Sequence, residues 1–346
     1  MSKNLFYLCG MTPEDASGGI YGCEECEGKV RIKFHHPLRG CSYLGFSDDR
    51  KGLYATSIVD GSGAVTALRI REDGSLEQLN QLPTLGRSCC YAAAAPGGKF
   101  VYAANYFTSN ISEFALNPNG SLKTLARDIH FTGSGPDERQ DVPHPHFTNF
   151  TPDQKKLIVI DLGTDEIKLF DFDPDKGLLN IEKPSVFKVN PAGSGPRHIV
   201  FNKKGDIAYL INEIGNTVSV LGYDGNSFTF KQILSTLPED FKDYSKAAAI
   251  RLAPDERFLF ASNRGYDSTA VFAVLPDGLL ELREIVSSEG VSPRDINFLP
   301  GGRVFAMANE FSDNVAFFDY DEICGKLNSK SREVDLHLPR PLAIYW

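Results

Sequence analysis

AAAAPGGKFVYAANY (92–106), NFTPDQKKLIVIDLG (149–163), VFNKKGDIAYLINEI (200–214), RLAPDERFLFASNRG (251–265) and NFLPGGRVFAMANEF (297–311) repeat one pattern. Each reads as a short apolar strand, a turn built from Pro, Asp, Gly and Lys, and a second strand that ends on a polar residue. GFSDDRKGLYATSI (45–58) is a weaker sixth copy. A third alternating strand follows each copy, as in VTALRI (65–70), IKLFDF (167–172) and AVFAVL (270–275), and then a turn such as PNGSL (118–122) or PDGLL (276–280) leads to a fourth, more polar strand. First strands begin near residues 41, 89, 145, 196, 247 and 293. Four antiparallel strands repeating at about 45 to 55 residues mark a propeller blade. Amphipathic helices long enough for parallel crossovers are missing from the pattern, which argues against an α/β fold.

Six blades leave the two ends of the chain. PLAIYW (341–346) matches a first strand such as PRHIVF (196–201), and NLFYLCG (4–10) matches a second strand such as KFVYAAN (99–105). The expectation is an all-β, seven-bladed propeller forming a single domain over residues 1–346, closed by N- and C-terminal strands in one shared blade. Closure of this kind leaves the ring without open sheet edges.

The bulk composition fits: 42% hydrophobic and 23% charged residues in 346 describe a globular chain that can bury a large core. A net charge of −9 argues against a general nucleic-acid partner. There is no run of about 18 apolar residues, so no membrane span is expected. MSKNLFYLCGM does not read as a secretory signal, and a cytoplasmic location is expected. Seven cysteines without a framework spacing suit a reducing compartment. Cys23-Glu-Glu-Cys26 is the one CxxC, and it reads as a hairpin turn near a terminus.

In an antiparallel blade the head of the first strand and the end of the second share one mouth of the channel. First-strand heads carry Arg87, His144, His146, Arg197, His198, Arg294 and Asp295. Second-strand ends carry Asn105, Asp161, Asn212 with Glu213, Asn263 with Arg264, and Asn309 with Glu310. Asn and Asp at strand ends also cap turns through nearby backbone. Several arginines sharing a mouth with histidine, however, read as an anion site with a titratable group. GSGPDERQDVPHPHF (133–147) lengthens the connection into the third blade and is expected to fold over this mouth, bringing Arg139.

At these residues the chain resembles the seven-bladed lactonase family, which groups propeller-type bacterial 6-phosphogluconolactonases with fungal 3-carboxy-cis,cis-muconate lactonizing enzymes. The pieces that carry the resemblance are GSGPRHIVF (193–201), YLINE (209–213), FASNRG (260–265), SPRDINF (292–298) and PDERQDVPHPHF (136–147), the last being closer to the bacterial branch. The resemblance implies catalysis without metal or cofactor by His146, Arg197, Glu213 and Arg264. It also implies hydrolysis of 6-phosphoglucono-1,5-lactone in the pentose phosphate pathway. Arg294, His144, His198, Asn212, Asn263, Arg139, Asp161 and Asn105 complete the expected binding set for a small anionic sugar lactone.

The chemistry is consistent with these residue types. Lactone hydrolysis needs an activated water, which a histidine near neutral pKa supplies. It also needs oxyanion stabilisation and a grip on an anionic group, both suited to planar guanidinium forks. The same parts suit lactonization of a carboxymuconate. A non-enzymatic interaction scaffold would instead show aromatic hot spots at the mouth, where Tyr106 and Phe311 are the main candidates. A metal-dependent gluconolactonase would need carboxylates converging on an ion, for which Asp161, Glu213 and Glu310 are available.

Overall fold

Alternating β-formers and regular turn clusters build seven antiparallel sheets arranged as the blades of a propeller. The computed structural model describes residues 4–12, 14, 15, 17–26, 28–329 and 338–346, and the backbone of 333–335. Blades one, two, four, five and six each contain four strands in sequence order from channel to rim. In blade three the outer position is shared by two short strands, Gly177–Leu179 and Ser185–Lys188, which both pair with Glu166–Asp173.

Blade seven joins the two ends of the chain. Pro341–Tyr345 is its innermost strand and pairs antiparallel with Leu5–Gly10, so that Leu8 faces Ile344 and Cys9 faces Ala343. Gly19–Cys26 and Lys29–Pro37 complete the hairpins, and Glu333–Asp335 adds a fifth, parallel strand at the rim. Cys23 and Cys26 therefore lie on a strand and not in the expected turn. Three positions apart on a strand, they point to opposite faces, Cys23 buried and Cys26 exposed. No helix among the described residues is long and apolar enough to cross a membrane.

Alternation along each strand sends one apolar set towards each neighbouring blade. Buried clusters consequently straddle blade boundaries. Phe260, Phe298 and Phe305 stack between blades five and six. Phe6, Leu8 and Ile344 meet Ala306, Ala308 and Phe317 where blade six packs on blade seven.

Candidate active site

The mouth is shaped by one irregularity repeated round the ring. In blades two, three, four and six the pairing of first and second strands slips by one residue near the head of the inner strand. The residues skipped are Cys90, His146, Arg197 and Arg294. A β-bulge of this kind twists the strand and re-aims the extra side chain. The end of the second strand supplies the other half of the ring. The residues that follow Asn105, Asp161, Asn212, Asn263 and Asn309 are Tyr106, Leu162, Glu213, Arg264 and Glu310.

Glu213 is the hub. Its carboxylate lies 2.7 Å from an Arg264 terminal nitrogen and 2.9 Å from Arg197 Nε, and it also pairs with Arg139. Burial opposes its ionisation, but Arg264 and Arg197 outweigh that cost and hold the carboxyl well below its usual range. Burial and then Arg264 push Arg197 down to about 9, which still leaves it cationic at neutral pH. Arg197 also donates to the Ala248 carbonyl at 2.6 Å, and Arg264 to the Ala247 carbonyl at 3.1 Å. Arg197 Nε, although close to Glu213, is misaligned for a hydrogen bond. Arg264 Nε likewise has no hydrogen-bond acceptor among the described residues.

Arg139 arrives on the 133–147 connection, which folds over the mouth as expected. Asp137 opens a short 3-10 turn with a capping box to Gln140, whose amide donates to the Leu162 carbonyl and to Asp165. Gly163 makes the crossing possible: a Cβ there would lie 1.9 Å from the Val142 carbonyl oxygen.

His146 is buried, and its Nδ1 has no hydrogen-bond partner among the described residues. Burial first, and Arg197 second, press its pKa well below the ordinary histidine value, so the ring is neutral at neutral pH. Tyr106 and His198 meet it edge to face, at centroid distances of 5.8 and 5.2 Å. His198, also neutral through burial and Arg197, lies one position deeper, in contact with Tyr43, Tyr91 and Phe147. Cys90 backs on the carbonyl of His146, but burial pushes its thiol up to about 12, which removes it as a nucleophile.

The expected binding set divides. Two positions apart on a regular strand, His144 and His146 would face the same way, but the bulge and the strand start at Pro145 separate them. His144 stacks on Tyr106 at 4.3 Å, and its ring nitrogens engage the Tyr106 carbonyl and Asp141. Asp161 accepts from the His144 and Gly163 amides and from Lys168. Asn105 bonds to Ser112, Asn212 to Thr217 and Ser219, and Asn263 to Thr236 and Ser268. Asp161, Asn105, Asn212 and Asn263 are fully buried and His144 is buried behind Tyr106, so the structure places these five side chains, expected as ligand contacts, in the wall of the mouth, each engaged by protein partners. Arg294 stays at the mouth, a quarter exposed and 3.5 Å from Glu310, which Arg340 pairs more closely at 2.7 Å. Arg87 is exposed.

Two further residues join the mouth: Tyr106, named from the sequence only as an aromatic there, and Lys246, which the sequence reading missed. Tyr106 bridges His144, His146 and Arg139. Lys246 is the strand partner of Arg264, a position legible from its place just ahead of Ala247. Among the described residues no cluster of His, Cys, Asp and Glu is arranged to hold a metal ion. A cleft of about 550 Å³ opens elsewhere, between blades one and two around Asp48, Tyr54 and Gly120. These residues cluster at hairpin turns of the opposite face, and the cleft contains neither a histidine nor a group of guanidiniums.

This fold and mouth are those of a known family. The model of the seven-bladed β-propeller lactonases matches residues 7–346, and the chain belongs to that family; it is a lactonase. It is 34% identical over 98% of its length to a Bacillus subtilis protein named 6-phosphogluconolactonase, of which it covers 97%. A Lactobacillus plantarum structure superposes with a TM-score of 0.90 at 32% identity, over 99% of both chains. The Pseudomonas aeruginosa periplasmic gluconolactonase superposes with a TM-score of 0.89 at 28% identity, over 98% of both.

Proposed function

We propose that the chain hydrolyses 6-phosphoglucono-1,5-lactone, with His146 as general base and Arg197 and Arg264 as the charge-stabilising pair. One observation carries this reading: a neutral imidazole and an excess of guanidiniums over carboxylates meet at one channel mouth. His146 takes a proton from water as the water oxygen bonds to lactone C1. The carbonyl oxygen gains charge, and the paired guanidiniums of Arg197 and Arg264 suit that oxyanion. Collapse breaks the C1–ring oxygen bond, and the proton held by His146 passes to the leaving ring oxygen. Glu213 keeps both guanidiniums in register, while Arg139 closes the mouth from above. The relative named 6-phosphogluconolactonase supports the phosphorylated substrate. A phosphorylated sugar does not diffuse across membranes, which suits a cytoplasmic enzyme of carbohydrate metabolism.

The test is hydrolysis of freshly prepared 6-phosphoglucono-1,5-lactone, corrected for spontaneous opening, with and without chelator. Turnover that persists in chelator supports the reading. Turnover lost in chelator and restored by calcium overturns the metal-free mechanism. Turnover of 3-carboxymuconate alone moves the chemistry to cyclization.

A further inference from the structure

We infer that Lys246, with Arg294 beside it, is the clamp for the substrate's phosphate and sets the preference for a phosphorylated over a neutral lactone. The inference rests on the reading of lactone hydrolysis at this mouth and adds a specificity residue to it.

The cations of the mouth are not equally free. Arg139, Arg197 and Arg264 share Glu213, and Arg340 holds Glu310. Arg294 touches Glu310 only at 3.5 Å. Lys246 forms neither an ion pair nor a hydrogen bond through its side chain among the described residues. Its backbone position is nevertheless fixed at the mouth. Lys246 pairs with Arg264 across the strands, and the next residue, Ala247, donates its amide to the Glu213 carbonyl at 3.1 Å. Half-burial next to like charges is unfavourable for an ammonium. Burial first, then Arg264, accordingly push its pKa down, with Glu213 opposing and Arg139 and Arg294 adding to the shift. A multiply charged anion relieves that arrangement; a neutral ligand does not.

Shape agrees with charge. At the head of the inner strand, blades three, four and six present His146, Arg197 and Arg294, whereas blade five presents Ala248. The sector at blade five therefore brings its cations to the mouth from Lys246 and Arg264, with Arg294 on the neighbouring blade six. His146 stands two blades away from that sector. In the 1,5-lactone C1 and C5 flank the ring oxygen, so with C1 held between His146 and the Arg197–Arg264 pair it is the C6 arm, extended away from the ring, that carries the phosphate towards Lys246 and Arg294 on blades five and six.

The experiment compares wild type, Lys246→Met and Lys246→Arg on 6-phosphoglucono-1,5-lactone and on glucono-1,5-lactone. A hydrogen bond to a charged group is worth enough that Lys246→Met should raise KM for the phosphorylated lactone roughly tenfold to a hundredfold, with kcat changed far less. Selectivity for the phosphorylated lactone should fall by the same factor, and Lys246→Arg should recover most of it. An equal loss on both lactones, or an unchanged KM, overturns the clamp. If the wild type opens neither lactone, the activity reading fails by itself. The clamp is then judged by calorimetric titration with 6-phosphogluconate and with gluconate. A phosphate preference that disappears in Lys246→Met upholds it, and the absence of any preference overturns it.

Discussion

His146 and His144 are two residues apart and serve different ends. His146 has an unbonded ring nitrogen at the mouth, whereas both nitrogens of His144 are occupied behind Tyr106. Loss of a general base costs roughly 10²–10⁴-fold, so His146→Ala should reduce corrected turnover by that order. His144→Ala should act through Tyr106 and cost far less; the reverse ranking would exchange the two roles. Arg264→Lys keeps a charge but loses the planar guanidinium whose one terminal nitrogen reaches both Glu213 and the Ala247 carbonyl, and should be poorly tolerated. The pH profile carries a further test. His146 is pressed well below 6.5 by burial and Arg197, so the acid limb of kcat/KM should lie below pH 6.5 and move upward in Arg197→Gln. Stability follows the same linkage. The unfolded chain protonates its histidines near 6.5 while buried His146 and His198 resist, so their contribution is complete above that pH. It is lost as pH falls towards the folded values, and thermal melts between pH 7 and 5 should show the decline.

Strands and loops set where those residues stand, and here the repeat pattern was most informative. The strand heads and ends quoted from the sequence form one ring, because antiparallel pairing leaves no other arrangement. Which side chains enter the channel was less legible. Simple alternation put His144 beside His146, but the slip between Pro145 and Phe147 reverses that inference. A bulge depends on cross-strand hydrogen bonding, and nothing in the residues PHPHF announces it. Likewise, the asparagines at strand ends looked like mouth ligands until their partners across the blade were visible. Asn263 is the clearest case, with Thr236 in the connection leaving blade four and Ser268 on the next strand of its own blade. Asn263→Ala strands those groups, and unsatisfied buried partners cost about 1–3 kcal/mol. A lower Tm with KM nearly unchanged is expected; a selective rise in KM would return Asn263 to the binding set. The loop at 133–147 gives the opposite expectation. Arg139→Ala should leave Tm almost unchanged, since its side chain is partly exposed, yet raise KM.

The whole ring depends on how it is fastened. Pro341–Tyr345 is the innermost strand of blade seven, and it is also cross-linked to blade six: Asp295 accepts the Ile344 amide at 2.9 Å, and Asn297 donates to the Ile344 carbonyl at 2.8 Å. Asp295 in turn holds Arg251 of blade five at 2.7 Å, so one terminal residue is tied through a buried carboxylate to two further blades. Leu342, Ala343 and Ile344 are all buried. Each large apolar side chain removed from water is worth about 1.5–3 kcal/mol, and a domain's whole margin is only about 5–15 kcal/mol. Deleting 341–346 removes that burial, exposes an edge along Leu5–Gly10 and leaves Asp295 without its amide partner. We propose that residues 1–346 act as one cooperative unit, so the loss should spread beyond blade seven. The truncated chain should melt far below the full chain or fail to fold, and Asn297→Ala should lower Tm by a smaller amount in the same direction. Because the mouth draws residues from blades two to six, activity should disappear together with structure when Pro341–Trp346 is removed. A truncated protein that melts like the full chain and still opens the lactone would show that the terminal strand is not the fastening.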